Sequence, residues 1–384
     1  MFQLHLAKAL TRRTLPTFPI PHFFSTATPL SDAWFRPVGE GALLLRFGTD
    51  INIDTNTQVL NFMRHLDSSP PQAGITEILP AYASLLIHFD PTLLNTTQVE
   101  AWCRQEATQV ATASTPTSTP PPRTVSIPVH YGGKHGPDLQ EAAALAKLAS
   151  ADEAASIHAS GDYRVYFLGF TGGFPYMGGL PKELMSVPRL TTPRQLVPKG
   201  AVGIAAGQTG VYTLNSPGGW YLLGQTFMPL FDPYNDPPSL LQPGDRIKFV
   251  PMTKEEQEAQ EEAPHIEHQG STTLQPLQAP CLKIIAPGPM TTVQDLGRHG
   301  YGRQGVSRSG AADGLALRMG NALLGNDENA AGLEVAMGGL VMQCIDRPIQ
   351  IALTGKCWWV VWVVWVVWVV WVVWVVWVVW VVWV

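Results

Sequence analysis

Residues 161–181 read GDYRVYFLGFTGGFPYMGGLP, and residues 187–226 continue as VPRLTTPRQLVPKGAVGIAAGQTGVYTLNSPGGWYLLGQT. Short apolar segments alternate with Gly and Pro every several residues: YRVYFLGF, VGIAAG, GVYTL, WYLLG and then DRIKFV at 245–250. Segments of this length between turn residues read as the strands of a closed or nearly closed β-barrel. Gly169, Gly172, Gly173, Gly178 and Gly179 crowd one stretch, a density that permits positive φ angles and close approach of backbone to a ligand. The same density also serves tight barrel turns.

Several polar groups stand in this region. Arg189 and Arg194 each lie beside a proline. Two positioned guanidiniums suit a phosphate or a carboxylate, although arginines also serve as surface ion-pair partners. GQTGVY supplies Gln208, Thr209 and Tyr212 as neutral donors and acceptors, and SPGGW combines Ser216, Gly218 and Gly219 with the aromatic wall of Trp220.

A second glycine-rich core runs over 286–340, APGPMTTVQDLGRHGYGRQGVSRSGAADGLALRMGNALLGNDENAAGLEVAMGGL. Asp295 and Asp313 are candidates for paired acid–base carboxylates, and Arg298 for an anion contact. Asp313 equally suits the N-cap of the helix that ADGLALRMGNALLGN predicts, with Leu315, Met319, Ala322 and Leu323 on its apolar face and Gly325 as its stop.

Upstream, WFRPVGEGALLLRFG predicts a hairpin, NTQVLNFMRHL a helix with Val59, Leu60, Met63 and Leu66 on one face, ITEILPAYASLLIHFD a second strand pair, and NTTQVEAWCRQ a short helix capped by Asn95 or Thr96. Two hairpins alternating with two helices predict a small ferredoxin-like layer over 32–110. Segment 111–123 is a Ser/Thr/Pro linker, and 124–252 is the barrel domain, with helices in DLQEAAALAKLA and ADEAASIHASGD starting near Asp138 and Asp152. An acidic, solvated linker covers 253–279, and β structure restarts over 280–357.

The 384 residues allow two or three domains. Gly 35 and Pro 33 against 14% charged residues favour turn-rich β structure over a helical bundle. A net charge of −5 leaves no footprint for nucleic acid. Cys103, Cys281, Cys344 and Cys357 form no CxxC pair, so neither a disulfide framework nor a structural metal site is expected, and the chain fits a reducing compartment. Residues 1–31 carry Lys8, Arg12 and Arg13 and no acid, which reads either as a mitochondrial transit peptide or as a disordered extension. The expected location is therefore the cytoplasm or the mitochondrial matrix. The Trp-Val-Val repeat over 358–384 is long and apolar enough for a membrane span, but its period of three matches no regular element, and no basic stop signal flanks it. Translated simple-sequence DNA or a frame error accounts for it more simply.

YRVYFLGFTGGFPYMGGLP, the paired PR motifs, VPKGAVGIAAGQTGVY, SPGGWYLLGQT and PGDRIKF together resemble the subunit-1 domain of allophanate hydrolase-like proteins. That domain also occurs as the B component of prokaryotic 5-oxoprolinase and in KipI-type inhibitors. HYGGKHGPDL at 130–139, and His158 with Tyr163, fit the same pattern, and the resemblance spans about 33–250. PGPMTTVQDLGRHGY and the residues after it resemble the opening of the subunit-2 domain, which is the C component of 5-oxoprolinase. The family has Pro-Gly-Phe where this chain has Gly172-Gly173-Phe174, Ala at Lys199 and Arg at Gln225.

The resemblance implies an α+β and mainly β fold: a small ferredoxin-like domain, a cyclophilin-like β-barrel and an incomplete second barrel. It also implies ATP-dependent opening of a cyclic amide with a separate A component of the LamB/YcsF type, using ATP with Mg2+, no resident metal and no membrane partner. No GxxxxGKS or GxxxxGKT motif is present, so ATP is expected on another backbone geometry. His158, Arg189, Arg194, Asp295 and Asp313 are the expected catalytic residues. Gly172, Gly173, Gln208, Thr209, Tyr212, Ser216, Gly218, Gly219 and Arg298 are the expected nucleotide-binding ones. A carboxyltransferase part of a urea amidolyase and a KipI-like non-enzymatic binding protein are the alternatives; no biotinyl-lysine or ATP-grasp region is visible for the former.

Overall fold

The computed structural model describes residues 34–70, 72–112, 122–253, 255–257, 282–345, 349–356 and 378–383. The N-terminal 1–31 segment, Cys281, Cys357, and most of both linkers and of the Trp-Val repeat lie outside the described residues.

The first unit has the element order β1 (Trp34–Pro37), β2 (Ala42–Arg46), α1 (Ile53–Ser68), β3 (Ile75–Pro80), β4 (Ser84–Phe89) and α2 (Thr96–Thr112). Its sheet is antiparallel in the order β1-β2-β4-β3. The helical spacing of Val59, Leu60, Met63 and Leu66 buries all four against Leu43, Leu45, Leu85 and Ile87. Asn52 accepts from Thr55 N to start α1, and Asn95 and Gln98 exchange side-chain-to-backbone bonds at the start of α2.

The second unit is a closed barrel. Its elements are β5 (Thr124–Tyr131), α3 (Leu139–Leu145), α4 (Ala151–Ser160), β6 (Tyr163–Leu168), β7 (Pro175–Gly178), β8 (Arg194–Val197), β9 (Ala201–Ala205), β10 (Gln208–Val211), β11 (Ser216–Gly218), β12 (Tyr221–Gln225) and β13 (Arg246–Pro251). The barrel runs β10-β7-β6-β13-β5-β12-β9, while β8 and β11 form a separate pair. Its first and last strands, β5 and β13, lie parallel from Thr124↔Arg246 to Val129↔Pro251. Ile127, Val129, Val165, Met177, Val202, Ile204, Val211, Leu223, Ile247 and Phe249 fill the core.

His158 belongs to that core. It is fully buried, with Nδ1 bonded to Tyr131 Oη at 2.7 Å, Nε2 to Thr209 Oγ1 at 3.1 Å, and its carbonyl accepting from Tyr163 Oη. Thr209 is equally buried and donates to Gly203 O. Both ring nitrogens of His158, expected as a catalytic residue, and the hydroxyl of Thr209, expected as a nucleotide contact, are thus occupied within the barrel core.

The third part holds β14 (Leu282–Ala286), β15 (Met290–Gln294), α5 (Gly314–Leu324), β16 (Gly332–Ala336), β17 (Val341–Cys344), β18 (Ile351–Lys356) and β19 (Val378–Trp383). The sheets are β14-β17 and β15-β16-β19-β18, so the end of the Trp-Val repeat pairs as a strand between β16 and β18. Asp313 caps α5 through Ala316 N, and Gly325 ends it in the left-handed region. The expected apolar face is corrected. Ala316, Leu317, Gly320 and Asn321 face inward, while Leu315, Met319, Ala322 and Leu323 are exposed. Thr354 Oγ1 donates to Ala316 O at 2.6 Å, an approach that the small residues on the inner face accommodate.

The turn Gly302–Gln304 ties this part to the other two. Arg303 grips Asp67 with both terminal nitrogens (2.6 and 2.8 Å) and donates from Nε to Ile78 O (2.6 Å), while Gly302 N donates to Glu77 Oε1. Gln304 O accepts from Gly173 N and Ser239 Oγ on the barrel. Among the described residues no helix is long and apolar enough to cross a membrane.

Burial pushes the pKa of His158 down to about 3. The unfolded chain takes up a proton there below about pH 6.5 and the folded chain does not, so this residue's contribution to stability is lost as pH falls from about 6.5 towards 3. Urea unfolding of the barrel at about pH 7 and about pH 5 should show a lower midpoint at the acid value, and His158→Gln should flatten that difference.

Candidate functional site

The barrel presents an aromatic wall beside the small domain. On β6 and β7 the register places Phe167 against Tyr176, with rings stacked at 4.7 Å. Tyr82, in the turn between β3 and β4, inserts from the small domain and meets Phe167 edge-on at 4.8 Å, Tyr166 at 5.6 Å and Tyr176 at 6.0 Å. Phe174, Tyr212 and Trp220 extend the wall, with Phe174 5.2 Å from Tyr212 and 5.8 Å from Trp220.

Polar groups edge this wall. Tyr82 is hydrogen-bonded to the Gln208 side chain, and Tyr212 to the Trp220 backbone. The charge of Arg189 acts on Tyr82, Tyr176 and Tyr212. Arg189 itself is exposed, and no carboxylate among the described residues forms an ion pair with it. Burial, the main cause in each case, raises all three phenols above their ordinary value, so near neutral pH they are uncharged hydrogen-bond donors. The arrangement is one uncommitted guanidinium, neutral phenols and a carboxamide on an aromatic floor. It suits a small planar molecule carrying both a carboxylate and an amide.

Of the residues expected from sequence, Arg189, Gln208 and Tyr212 are brought together here. Arg194 is nearby but committed: Nη2 pairs with Asp138 Oδ1 at 2.5 Å and Nη1 donates to Trp220 O at 3.3 Å. Asp138 is buried, and its other oxygen accepts from Leu222 N, so it ties α3 to the barrel and makes no cap bond to the helix it precedes. Arg194, expected as a catalytic residue, is in this structure a tether between Asp138 and the Trp220 carbonyl.

Gly172 and Gly173 are packing positions. Gly173, at φ +72°, lies against Phe231 and donates to Gln304 O, and any side chain at Gly172 would strike the same ring. Gly218 leaves room for the Tyr212 hydroxyl, Gly219 packs near Pro193, and Ser216 is buried. These five residues, expected as nucleotide contacts, line turns and seams of the barrel. Asp295 accepts from Gly297 N and Asp313 caps α5, so both carboxylates are engaged in local backbone geometry. Arg298 is exposed in the third part. Among the described residues no cluster fit to hold a metal ion is present.

Tyr82, Tyr166 and Tyr176 are site residues that the local sequence pattern does not mark. Tyr82 had one signal, an aromatic residue in the PAYAS break between two strands, where a polar residue is usual. Its partners lie more than eighty positions away, beyond the reach of any local pattern.

Comparison with known proteins matches two stretches of the chain. Residues 33–241 match the profile "Carboxyltransferase domain, subdomain C and D", and residues 304–363 match "Carboxyltransferase domain, subdomain A and B". The chain is 38% identical to the B component of 5-oxoprolinase from Bacillus subtilis over 235 residues, which is 59% of this chain and 95% of that protein. It is 50% identical to the C component of 5-oxoprolinase from Escherichia coli over 74 residues, 19% of this chain and only 24% of that protein. The crystal structure of TTHA0988 superimposes with a TM-score of 0.64 at 33% identity, covering 83% of this chain and 60% of that one. The Kluyveromyces lactis urea amidolyase, at 20% identity, TM-score 0.51, and coverage of 64% of this chain and 16% of that one, shares the fold.

The Asp138–Arg194 tether predicts a specific loss. Asp138→Ala leaves a half-buried guanidinium and the Leu222 N–H without their acceptor, and should lower unfolding free energy by about 3 kcal/mol in urea titration. Arg189→Ala removes no such bond and should leave it within about 0.5 kcal/mol of the parent.

Proposed function

The chain belongs to the carboxyltransferase-domain family of subdomains C and D, and on that premise we propose that it unites the B and C components of an ATP-dependent lactam hydrolase of the 5-oxoprolinase type. The reaction is 5-oxoproline, ATP and water to glutamate, ADP and phosphate, carried out with a separate A component of the LamB/YcsF type. The observation that carries this reading is the presence in one chain of a near full-length match to the B component followed by a match to part of the C component.

The aromatic site fits that substrate class. 5-Oxoproline is a small ring bearing a carboxylate, a lactam carbonyl and a lactam N–H. Arg189 takes the carboxylate, the phenols of Tyr82 and Tyr176 donate to carbonyl oxygen, and Gln208 offers both a donor and an acceptor to the amide edge, with the buried Tyr212 behind them. The aromatic wall excludes water from the ring faces and strengthens each of these bonds. A lactam is a poor electrophile. ATP, with Mg2+, supplies the activation by phosphorylating its oxygen, and Arg298 is a candidate contact for the phosphates.

The test is 5-oxoproline-dependent ATP hydrolysis by this chain with an A component, with and without a complete C component in trans. Turnover that requires this chain is expected, and Arg189→Gln should raise KM for 5-oxoproline at least about tenfold with a smaller change in kcat. Absence of turnover in both mixtures would overturn the reading. Stimulation by urea or allophanate in place of 5-oxoproline would replace it with the urea amidolyase type.

A further inference from the structure

A group of arginines at the seam between α1 and the barrel has no part in the aromatic site. Arg164 on β6 and Arg246 on β13 face each other directly in the antiparallel ladder. Like charges in directly opposed positions destabilise a sheet. Arg64, on α1, joins them: its Nη2 lies against the backbone of Gly244, and Gly244 N is bonded to Val165 O, beside Arg164. Arg64 and Arg246 both act on Arg164 as like charges.

The acids nearby compensate only part of this charge: Asp162 pairs with Arg246, and neither Arg64 nor Arg164 forms an ion pair among the described residues. Asp245 is held by Arg123 and by Gln242 N. Asp162 serves both Arg246 (2.9 Å) and Lys248 (3.7 Å). Arg64 donates to Asn61 Oδ1 and Arg164 to Thr57 Oγ1, both neutral groups. Arg164 is the more telling of the two. Its guanidinium is half-buried and its Nε is sealed from water with no hydrogen-bond partner among the described residues. Burial first, then its two arginine neighbours, pull it below the ordinary guanidinium value. A fold gains nothing from setting two permanent cations against a half-buried, partly bonded third unless an anion shares the site.

We propose that Arg64, Arg164 and Arg246 form a binding site for a phosphate group at the seam between the small domain and the barrel. Arg64 and Arg246 are exposed and so leave the site open to solvent, while Arg164 forms its floor. The forked geometry of guanidinium matches a tetrahedral oxyanion, and an anion here also joins the two domains electrostatically. The source is either free phosphate or the phosphate chain of a nucleotide. The site is independent of the lactam-hydrolase reading, because binding is measured without turnover.

Calorimetric titration and thermal melting of the full chain with orthophosphate, pyrophosphate and magnesium-free ATP, at matched ionic strength, test the site. Wild type should bind at least one of the three and melt higher in its presence. Arg64→Gln, on the exposed rim, and Arg164→Gln, on the floor, should each weaken that binding at least about tenfold. Circular dichroism without anion should be unchanged in Arg64→Gln, which keeps the test valid if Arg164→Gln folds poorly. Equal affinity for orthophosphate and ATP assigns the site to free phosphate, and much tighter binding of ATP and pyrophosphate assigns it to a phosphate chain. No binding of any of the three, or unchanged affinity in Arg64→Gln, would overturn the proposal.

Discussion

The parallel pairing of β5 with β13 is the constraint on which the rest depends. It joins the first and last strands of the barrel and leaves neither with a free edge on that side. Once the barrel is shut, β6 must lie between β13 and β7, and alternation along β6 then decides what faces where. Tyr163 and Val165 go to the core, Arg164 goes to the seam, and Tyr166 and Phe167 meet Tyr82. The bulge between Val165 and Phe167 re-aims the strand at that point.

Contacts of differing chemistry cross from the small domain to its neighbours. Tyr82 packs into the aromatic wall. Arg164 reaches Thr57 on α1. Asp67, Glu77 and the Ile78 carbonyl take Arg303 and Gly302 from the third part. Because Ile78 lies on the strand that leads into the Tyr82 turn, the Arg303 grip bears on the same element that supplies an aromatic group to the site. In this fold the link between the barrel half and the third part is therefore also a link to the site.

The barrel's polar interior follows one rule. Buried polar groups are kept where they bond to each other and to backbone, as His158 does with Tyr131 and Thr209, and as Asp138 does with Arg194 and Leu222 N. The groups left for chemistry are those at the rim, where Arg189 has phenols for neighbours and, among the described residues, no ion-pair partner.

The sequence by itself determined the elements and their order. Turn residues at regular spacing marked the barrel strands, helical spacing marked α1 and its buried face, and Asn95 and Gly325 marked helix ends, because each of these signals is written within a few residues of chain. It also pointed to Arg189, Gln208 and Tyr212, which stand within about twenty-five residues of one another. Only the tertiary structure decided the rest. The inward face of α5 was set by a close approach to Thr354, which favoured small residues over large ones. His158, Thr209, Arg194 and Asp138 found their partners because distant strands closed over them or paired with them. Tyr82 joined the site, and Arg64 joined Arg164 and Arg246, only when the small domain was laid on the barrel. Burial and long-range pairing belong to the closed chain, and no local pattern of residue types encodes which polar side chain will be enclosed and which will be left facing a ligand.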